Sequence, residues 1–304
     1  MSTSNERIVL VTGGAGFVGS HLVDALIAQG FRVRVIDNFV TGHREYLNDR
    51  AELRELDICD RAVLESAFDG VDCVFHTAAR PRVMFAIEHP IEAHMNNVVG
   101  TLNVLMAARA AGVRRFVFSG SSSVYGDQPT LPLRESMAPA PLNPYALQKL
   151  AAEQYVRMFH RLYGMQTLTL RYFNVYGPRM AREGAYVTVI GVFLDQRRRG
   201  LPLTIHGDGE QTRDFTHVRD VVRANLLAMD SAIADGRAIN IGRGENVSVR
   251  RIAAMVGGPL VHLEPRPGDA RDTLADISQA REILGWVPEV SIEEGIRELQ
   301  ASGV

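Results

Sequence analysis

Tyr145 and Lys149, in the run NPYALQKL at 143–150, are the residues whose types and spacing point most directly to chemistry. Lys149 is the sole lysine among 33 lysine and arginine side chains. A guanidinium is a broad planar fork, whereas an ammonium is a compact charge on a flexible stem, so a position that keeps lysine asks for the second shape. Asn143 suits an N-cap and Pro144 a first helical turn, which predicts a helix starting here. Tyr145 and Lys149 then stand at i and i+4, stacked on one face. A free phenol titrates near about 10 and is a poor base at neutral pH. A neighbouring ammonium favours the phenolate. Lowering the phenol by about three units still needs roughly 4 kcal/mol. A second cation would help, and an oxidised nicotinamide ring is such a cation. The pair therefore raises the question of NAD.

The run TGGAGFVG answers it with Gly14, Gly16 and Gly19 as G-x-G-x-x-G between an apolar strand pattern and an amphipathic one, with Gly13 adding freedom. Such glycines permit a tight turn and close backbone approach to a pyrophosphate at a helix N-terminus. Asp37 ends the next strand pattern, FRVRVIDN, at the distance of a ribose-binding acid. Its carboxylate should repel a 2′-phosphate, which favours NAD over NADP. Asp57, in LRELDICD, either faces the adenine or closes an ordinary strand-end turn.

The elements that must position these residues follow a strand–helix rhythm. Strand patterns recur at VDCVFHTAA, RRFVFSGSS and QTLTLRYFNVYG, separated by helical ones such as NNVVGTLNVLMAARAAG. That alternation implies a parallel sheet covered on both faces. The expected fold is a Rossmann-type doubly wound α/β sheet at 1–175 and a smaller, loop-rich C-terminal lobe at 176–304, with elements able to interleave across an approximate boundary. A chain of 304 residues, 46% hydrophobic, can bury a full core. A formal net charge of −2 gives no sign of nucleic-acid binding. Cys59 and Cys73 lack metal or redox spacing and read as packing residues of a reducing, cytoplasmic setting. No apolar run is long enough to span a membrane, MSTSNER has no signal-peptide core, and nine histidines show no ligand spacing, so no metal is expected.

Taken together, GGAGFVGSH, SSSVYG, NPYALQK, RYFNVYGPR and GDGEQTRDFTHVRDV resemble the extended short-chain dehydrogenase/reductases that act on nucleotide sugars, in particular the UDP-glucose (UDP-galactose) 4-epimerases and their N-acetylhexosamine relatives. The resemblance runs from about residue 7 to residue 297, with the motifs in family order. It implies that Tyr145 is the catalytic base, that Lys149 holds the phenolate and the nicotinamide ribose, and that Ser121 hydrogen-bonds the reacting sugar oxygen. Gly13, Gly14, Gly16, Phe17, Val18 and Gly19 would line the cofactor, with Asp37, Asn38, Asp57, Ile58, Asn96, Ser119 and Tyr172. Ser123, Asn174, Arg179, Arg213, Arg266, Asp269 and Thr273 would meet the substrate, the arginines at 213 and 266 clamping its diphosphate and Asp269 its uridine ribose.

The implied reaction removes a proton from the sugar 4-hydroxyl and a hydride from C4, then returns both after the 4-keto sugar has turned over. Related 4,6-dehydratases carry an Asp-Glu pair directly after the catalytic hydroxyl. Here Ser122 and Ser123 stand there, and serine cannot replace a carboxylate as acid or base at neutral pH. A non-catalytic Rossmann sensor is the alternative from another class, although it has no reason to keep Tyr145 and Lys149 in register. Arg80 and Arg82 replace a Ser-Val-Arg-x-Ser run and face either an acidic group or solvent. Arg179 resembles an arginine of uronate 4-epimerases that neutral-sugar enzymes also carry. Thr273 falls where related epimerases set the room at the sugar C2 group, and it reads either as that gate or as a plain strand residue. The sugar stays open among glucose/galactose, their N-acetyl forms and uronates. The helices at about 90–112 and 145–163 fit either a homodimer seam or a monomer core.

Overall fold

A computed structural model describes residues 7–181, 188–264 and 270–302. The chain opens with β1 (Ile8–Thr12), α1 (Phe17–Ala28), β2 (Arg32–Asp37), β3 (Glu52–Glu55), α2 (Arg61–Leu64) and β4 (Val71–His76). Next come α3 (Val83–Glu88), α4 (Pro90–His94), a π-turn (Met95–Gly100), α5 (Thr101–Ala110) and β5 (Arg115–Ser121). The long α6 (Pro144–Tyr163) leads to β6 (Gln166–Tyr172) and the two-residue β7 (Val175–Tyr176). Asn143 caps α6 as its sequence predicts, its Oδ1 accepting from Ala146 N at 3.0 Å, and Gly164 ends it in the left-handed conformation.

The last part contains α7 (Val189–Arg198), β8 (Leu203–His206), β9 (Thr212–Asp214), β10 (Thr216–His217), α8 (Val218–Asp230) and β11 (Asp235–Ile241). It finishes with β12 (Asn246–Ser248), α9 (Val249–Val256), β13 (Leu260–Leu263), α10 (Ser278–Leu284) and α11 (Ile292–Ala301). Seven strands form one parallel sheet in the order β11-β6-β5-β4-β1-β2-β3. The order reverses between β1 and β4, and the crevice at such a switch point is where open α/β sheets bind ligands. Val9, Leu10 and Val11 on β1 are fully buried, as a strand covered on both faces requires.

The two bodies interleave. β11 adds the seventh strand beside β6, and α8 packs on α1, so residues well past 176 complete the nucleotide-binding sheet. Trp286 lies in the sheet's core with Nε1 donating to the Asp220 carbonyl at 2.9 Å. The lobe proper is three short strand pairs, β7–β10, β8–β13 and β9–β12, around a separate core that includes Phe193, Ile205, Ile252 and Leu299. The single strand pattern QTLTLRYFNVYG breaks after β6, where Asn174 adopts φ 28° and sends the chain toward the lobe. Among the described residues, no helix is long and apolar enough to cross a membrane.

Candidate active site

The glycine turn closes on the start of α1. Gly13 has φ 71°, and a side chain there would meet the Ala78 backbone at 2.7 Å, so the turn seats directly against the end of β4. A Cβ on Gly19 would come within 2.1 Å of the Gly13 carbonyl. Gly16 begins α1 with no side-chain cap, which leaves the helix N-terminus to a ligand from the groove. This groove, about 670 Å³, is lined by Gly13, Gly16, Phe17, Val18, Gly19, Asp37, Asn38, Ile58 and Asn96. Asp37 is held from both oxygens: Ala15 N donates to Oδ2 at 3.0 Å and Phe39 N to Oδ1 at 2.8 Å. Asn38 Nδ2 donates to Asp57 Oδ2 at 3.0 Å, while Asp57 Oδ1 accepts from Cys59 N at 2.8 Å. Asp57 thus closes a turn and also fixes Asn38 at the groove. Asn96 Oδ1 is buried with no partner among the described residues, an acceptor left for a bound group. Glycine cradle, bare helix terminus, acid and orphan acceptor together fit a dinucleotide.

A second cavity of about 370 Å³ gathers Ser121, Ser123, Tyr145, Tyr172, Asn174, Arg213 and Thr273, residues spread over more than half of the sequence. Ser121 ends β5, and its hydroxyl pairs with that of Ser123 at 2.8 Å. Burial pushes the Tyr145 phenol up to about 12, against which a hydrogen bond with Ser121 works in the other direction. Lys149, 4% exposed, donates to the Ser119 carbonyl at 2.9 Å, and burial brings its ammonium down to about 8. Within the protein alone, burial therefore opposes the phenolate that the i, i+4 spacing suggests. Ser119 Oγ lies 3.1 Å from Tyr172 OH, which donates to Asn225 Oδ1 at 2.9 Å, so Tyr172 is fixed by a buried relay.

Asn174 and Thr273 meet at the cavity wall, with Asn174 Nδ2 3.5 Å from Thr273 Oγ1 and 2.9 Å from the Asp214 carbonyl. Arg213 borders this cavity and a third one of about 560 Å³, lined also by His206, Asp208, Gln211 and Arg271. Arg213 NH1 donates to the Thr212 and Arg271 carbonyls at 3.0 and 2.8 Å. Arg179 does not join the substrate residues: it lines the dinucleotide groove, its NH1 2.8 Å from Asp24 Oδ2 on α1. Its backbone adopts φ 63°. Arg80 and Arg82 also border that groove, Arg80 being paired with Glu92 at 2.9 Å. Arg266 and Asp269 lie outside the described residues.

Two features escape a reading of motifs. Pro81 borders all three cavities and so forms the wall where they meet. Asp214, fully buried, accepts from Arg243 N, Gly244 N and Ala275 N at 2.6, 2.9 and 3.0 Å, which ties the loop after β11 and the segment before α10 to the end of β9. Burial raises its carboxyl to about 6 despite those donors. Asp214 sits inside the quoted run GDGEQTRDFTHVRDV, but only its contacts identify it as a hub.

Comparison with known proteins agrees with this geometry. Residues 9–242 match the family model described as the NAD dependent epimerase/dehydratase family. A putative UDP-glucose 4-epimerase of Methanocaldococcus jannaschii is 39% identical over 298 residues, spanning 95% of this chain and 96% of that protein. The crystal structure of UDP-glucose 4-epimerase from Thermotoga maritima with UDP-glucose superposes with a TM-score of 0.92 at 38% identity, covering 97% and 99% of the two chains. A UDP-N-acetylglucosamine 4-epimerase from Methanobrevibacter ruminantium, in complex with UDP-N-acetylmuramic acid, gives a TM-score of 0.91 at 35% identity, covering 98% and 99%.

Proposed function

Because the chain belongs to the NAD dependent epimerase/dehydratase family, we propose that it interconverts UDP-sugars that differ in configuration at C4. One observation carries this choice within the family. Among the described residues lining the sugar cavity, the groups able to handle protons are hydroxyls, Ser121, Ser122, Ser123, Tyr145, Tyr172 and Thr273, and none is a carboxylate. Elimination of water needs an additional acid and base, whereas epimerisation at C4 needs one group that takes a proton and gives it back. When bound in the groove, NAD supplies the redox chemistry, accepting a hydride and returning it.

The chain's own residues do the rest. Tyr145 stands at the cavity edge beside Ser121, so its phenolic oxygen takes and returns the hydroxyl proton while Ser121 orients the sugar oxygen. Lys149 stabilises the charged phenolate, and its anchorage on Ser119 places that charge next to the relay holding Tyr172. Asn174, Arg213 and Thr273 face the same space from the lobe, which makes them the residues that hold the nucleotide-sugar. Arg266 and Asp269 belong to this set by resemblance. UDP-glucose/UDP-galactose is the first substrate pair, with N-acetyl forms next because Thr273 is a small side chain at the wall. A uronate reading loses support from Arg179, which is paired with Asp24 and directed to the dinucleotide groove.

Ile91, 80% exposed on α4, and Leu147 and Leu162, 57% and 64% exposed on α6, supply an apolar face for a second copy of this chain. Purified protein tested against UDP-glucose, UDP-N-acetylglucosamine and UDP-glucuronate, with products separated by chromatography, decides the reaction. Formation of a C4 epimer without loss of water or carbon dioxide supports the proposal, and a dehydrated or decarboxylated product overturns it. Light scattering in solution checks the dimer.

A further inference from the structure

Two buried side chains hold the first turns of α6, and they leave the helix in different directions. Lys149 Nζ donates to the Ser119 carbonyl on β5 at 2.9 Å. One residue earlier Gln148, 4% exposed, turns its carboxamide to the π-turn, where Oε1 accepts from Asn97 Nδ2 at 2.8 Å. Asn97 in turn grips the Arg80 main chain from both sides, Oδ1 accepting from Arg80 N at 2.7 Å and Nδ2 donating to Arg80 O at 3.2 Å. Pro81, the next residue, is the wall shared by the three cavities.

Asn97 is itself fixed from behind. The Thr101 hydroxyl donates to the Asn97 carbonyl at 2.7 Å, so Thr101 Oγ1 accepts from His76 Nε2 at 2.9 Å. The other ring nitrogen, Nδ1, then accepts from the Thr12 hydroxyl at 2.6 Å. A continuous buried polar chain thus runs from Thr12, the residue before Gly13, to Gln148, the residue before Lys149.

We propose that Gln148 is a positioning residue for the Tyr145–Lys149 pair: locked to Asn97, it fixes the rotation of α6 against the wall between dinucleotide groove and sugar cavity. Successive helical residues point about 100° apart, so contacts made by 148 and 149 to two separate walls fix the orientation of the first turns, while further along the helix Glu153 is held by Arg171 of β6. Rotation of α6 carries the Tyr145 phenol away from Ser121, and a misplacement of about 1 Å at a reacting group can lower the rate ~100-fold. An apolar residue at 148 also leaves a buried Asn97 N–H short of its best acceptor.

The claim rests on the epimerase reading, so its test includes a measurement that needs no turnover. Gln148→Met keeps the length of the side chain and removes the carboxamide, which accepts from Asn97 Nδ2 and donates to the Pro90 carbonyl at 3.4 Å. In the NAD-loaded protein, kcat and KM for UDP-glucose are measured together with the phenolate absorbance of Tyr145, isolated by difference against Tyr145→Phe. Gln148→Met is expected to lower kcat roughly tenfold or more with KM within about threefold and to displace the phenolate titration by about one pH unit. If Gln148→Met does not fold, Gln148→Asn, too short to reach Asn97, takes its place with the same expectation. A kcat within twofold of wild type, or an unmoved phenolate titration, overturns the proposal. Wild-type protein that converts no UDP-sugar defeats the functional reading instead, and the phenolate titration still decides the role of Gln148.

Discussion

Lys149 extends its ammonium to the Ser119 carbonyl, 2.9 Å away, and rests over the Phe118 ring at 4.9 Å from its centroid. Ser119 is two residues before Ser121 on the same strand, so the lysine ties α6 to the strand that presents the Ser121 hydroxyl. Carbonyl and ring face both favour a cation, yet burial still brings the ammonium down to about 8.

Removing the phenol should stop catalysis. Tyr145→Phe is expected to lower kcat by several orders of magnitude with the fold intact, and Lys149→Arg to lose far more turnover than an arginine-to-lysine change on the surface. A guanidinium is too broad to replace a point donor at the Ser119 carbonyl. Steady-state kinetics with circular dichroism as the folding control checks both; near-wild-type turnover by Tyr145→Phe would sink the mechanism.

Cofactor choice should depend on Asp37. The wild-type protein is expected to carry or bind NAD without added substrate and to prefer it to NADP. Asp37→Asn should weaken that preference and also cost stability, because the carboxylate accepts two backbone N–H groups. Titration with both dinucleotides measures the ratio, and tighter binding of NADP by the wild type contradicts the argument.

Thr273 should govern the sugar C2 group by bulk, but its hydroxyl complicates the simplest test. Oγ1 accepts from Asp214 N at 3.2 Å and faces Asn174 Nδ2. Thr273→Tyr therefore removes a wall contact as well as adding volume. Thr273→Val, of similar shape without the hydroxyl, separates the two effects. Thr273→Val is expected to weaken both substrates alike, while Thr273→Tyr lowers activity on UDP-glucose only as far as Thr273→Val does and abolishes activity on UDP-N-acetylglucosamine. A wild type active on UDP-glucose alone would refute the pocket argument.

Acid should destabilise the fold in a window set by two histidines. Burial brings His76 down to about 3 and His217 to about 4, so the unfolded chain binds more protons below its ordinary histidine value near about 6.5. Stability is present above that value and is lost as pH falls through it. Asp214, raised to about 6, has the opposite sign, because the folded chain binds the extra proton between its ordinary value near about 4 and 6. His21, also lowered by burial, adds to the losses and Glu135, raised by burial, to the gains, which leaves a net fall in stability between about pH 6 and 4.5. Urea unfolding across that range measures the slope. His76→Gln should flatten it and Asp214→Asn should steepen it, and a flat wild-type profile would contradict the assignment.

Short-range features of this protein are readable along the chain because their causes are local. A glycine turn between strand and helix patterns, Asn143 and Pro144 opening α6, and tyrosine and lysine one turn apart each depend on a few adjacent residues. The same locality makes the parallel sheet legible, since alternating periodicities imply it before any contact is known.

Contacts between distant segments decided what the pattern of residues leaves open. β11 enters the sheet across α8, so the division near residue 176 follows loop density rather than packing. Arg179 belongs to the dinucleotide groove because Asp24, 155 residues away in sequence, holds it there. Gln148, silent in the sequence beside the lone lysine, acquires a role only when Asn97 meets it across 51 residues. The charge states of Tyr145 and Lys149 show the same division. Their spacing is a property of the helix, but their pKa values follow from how much of the folded protein separates them from water, and burial is set only by the assembled tertiary structure.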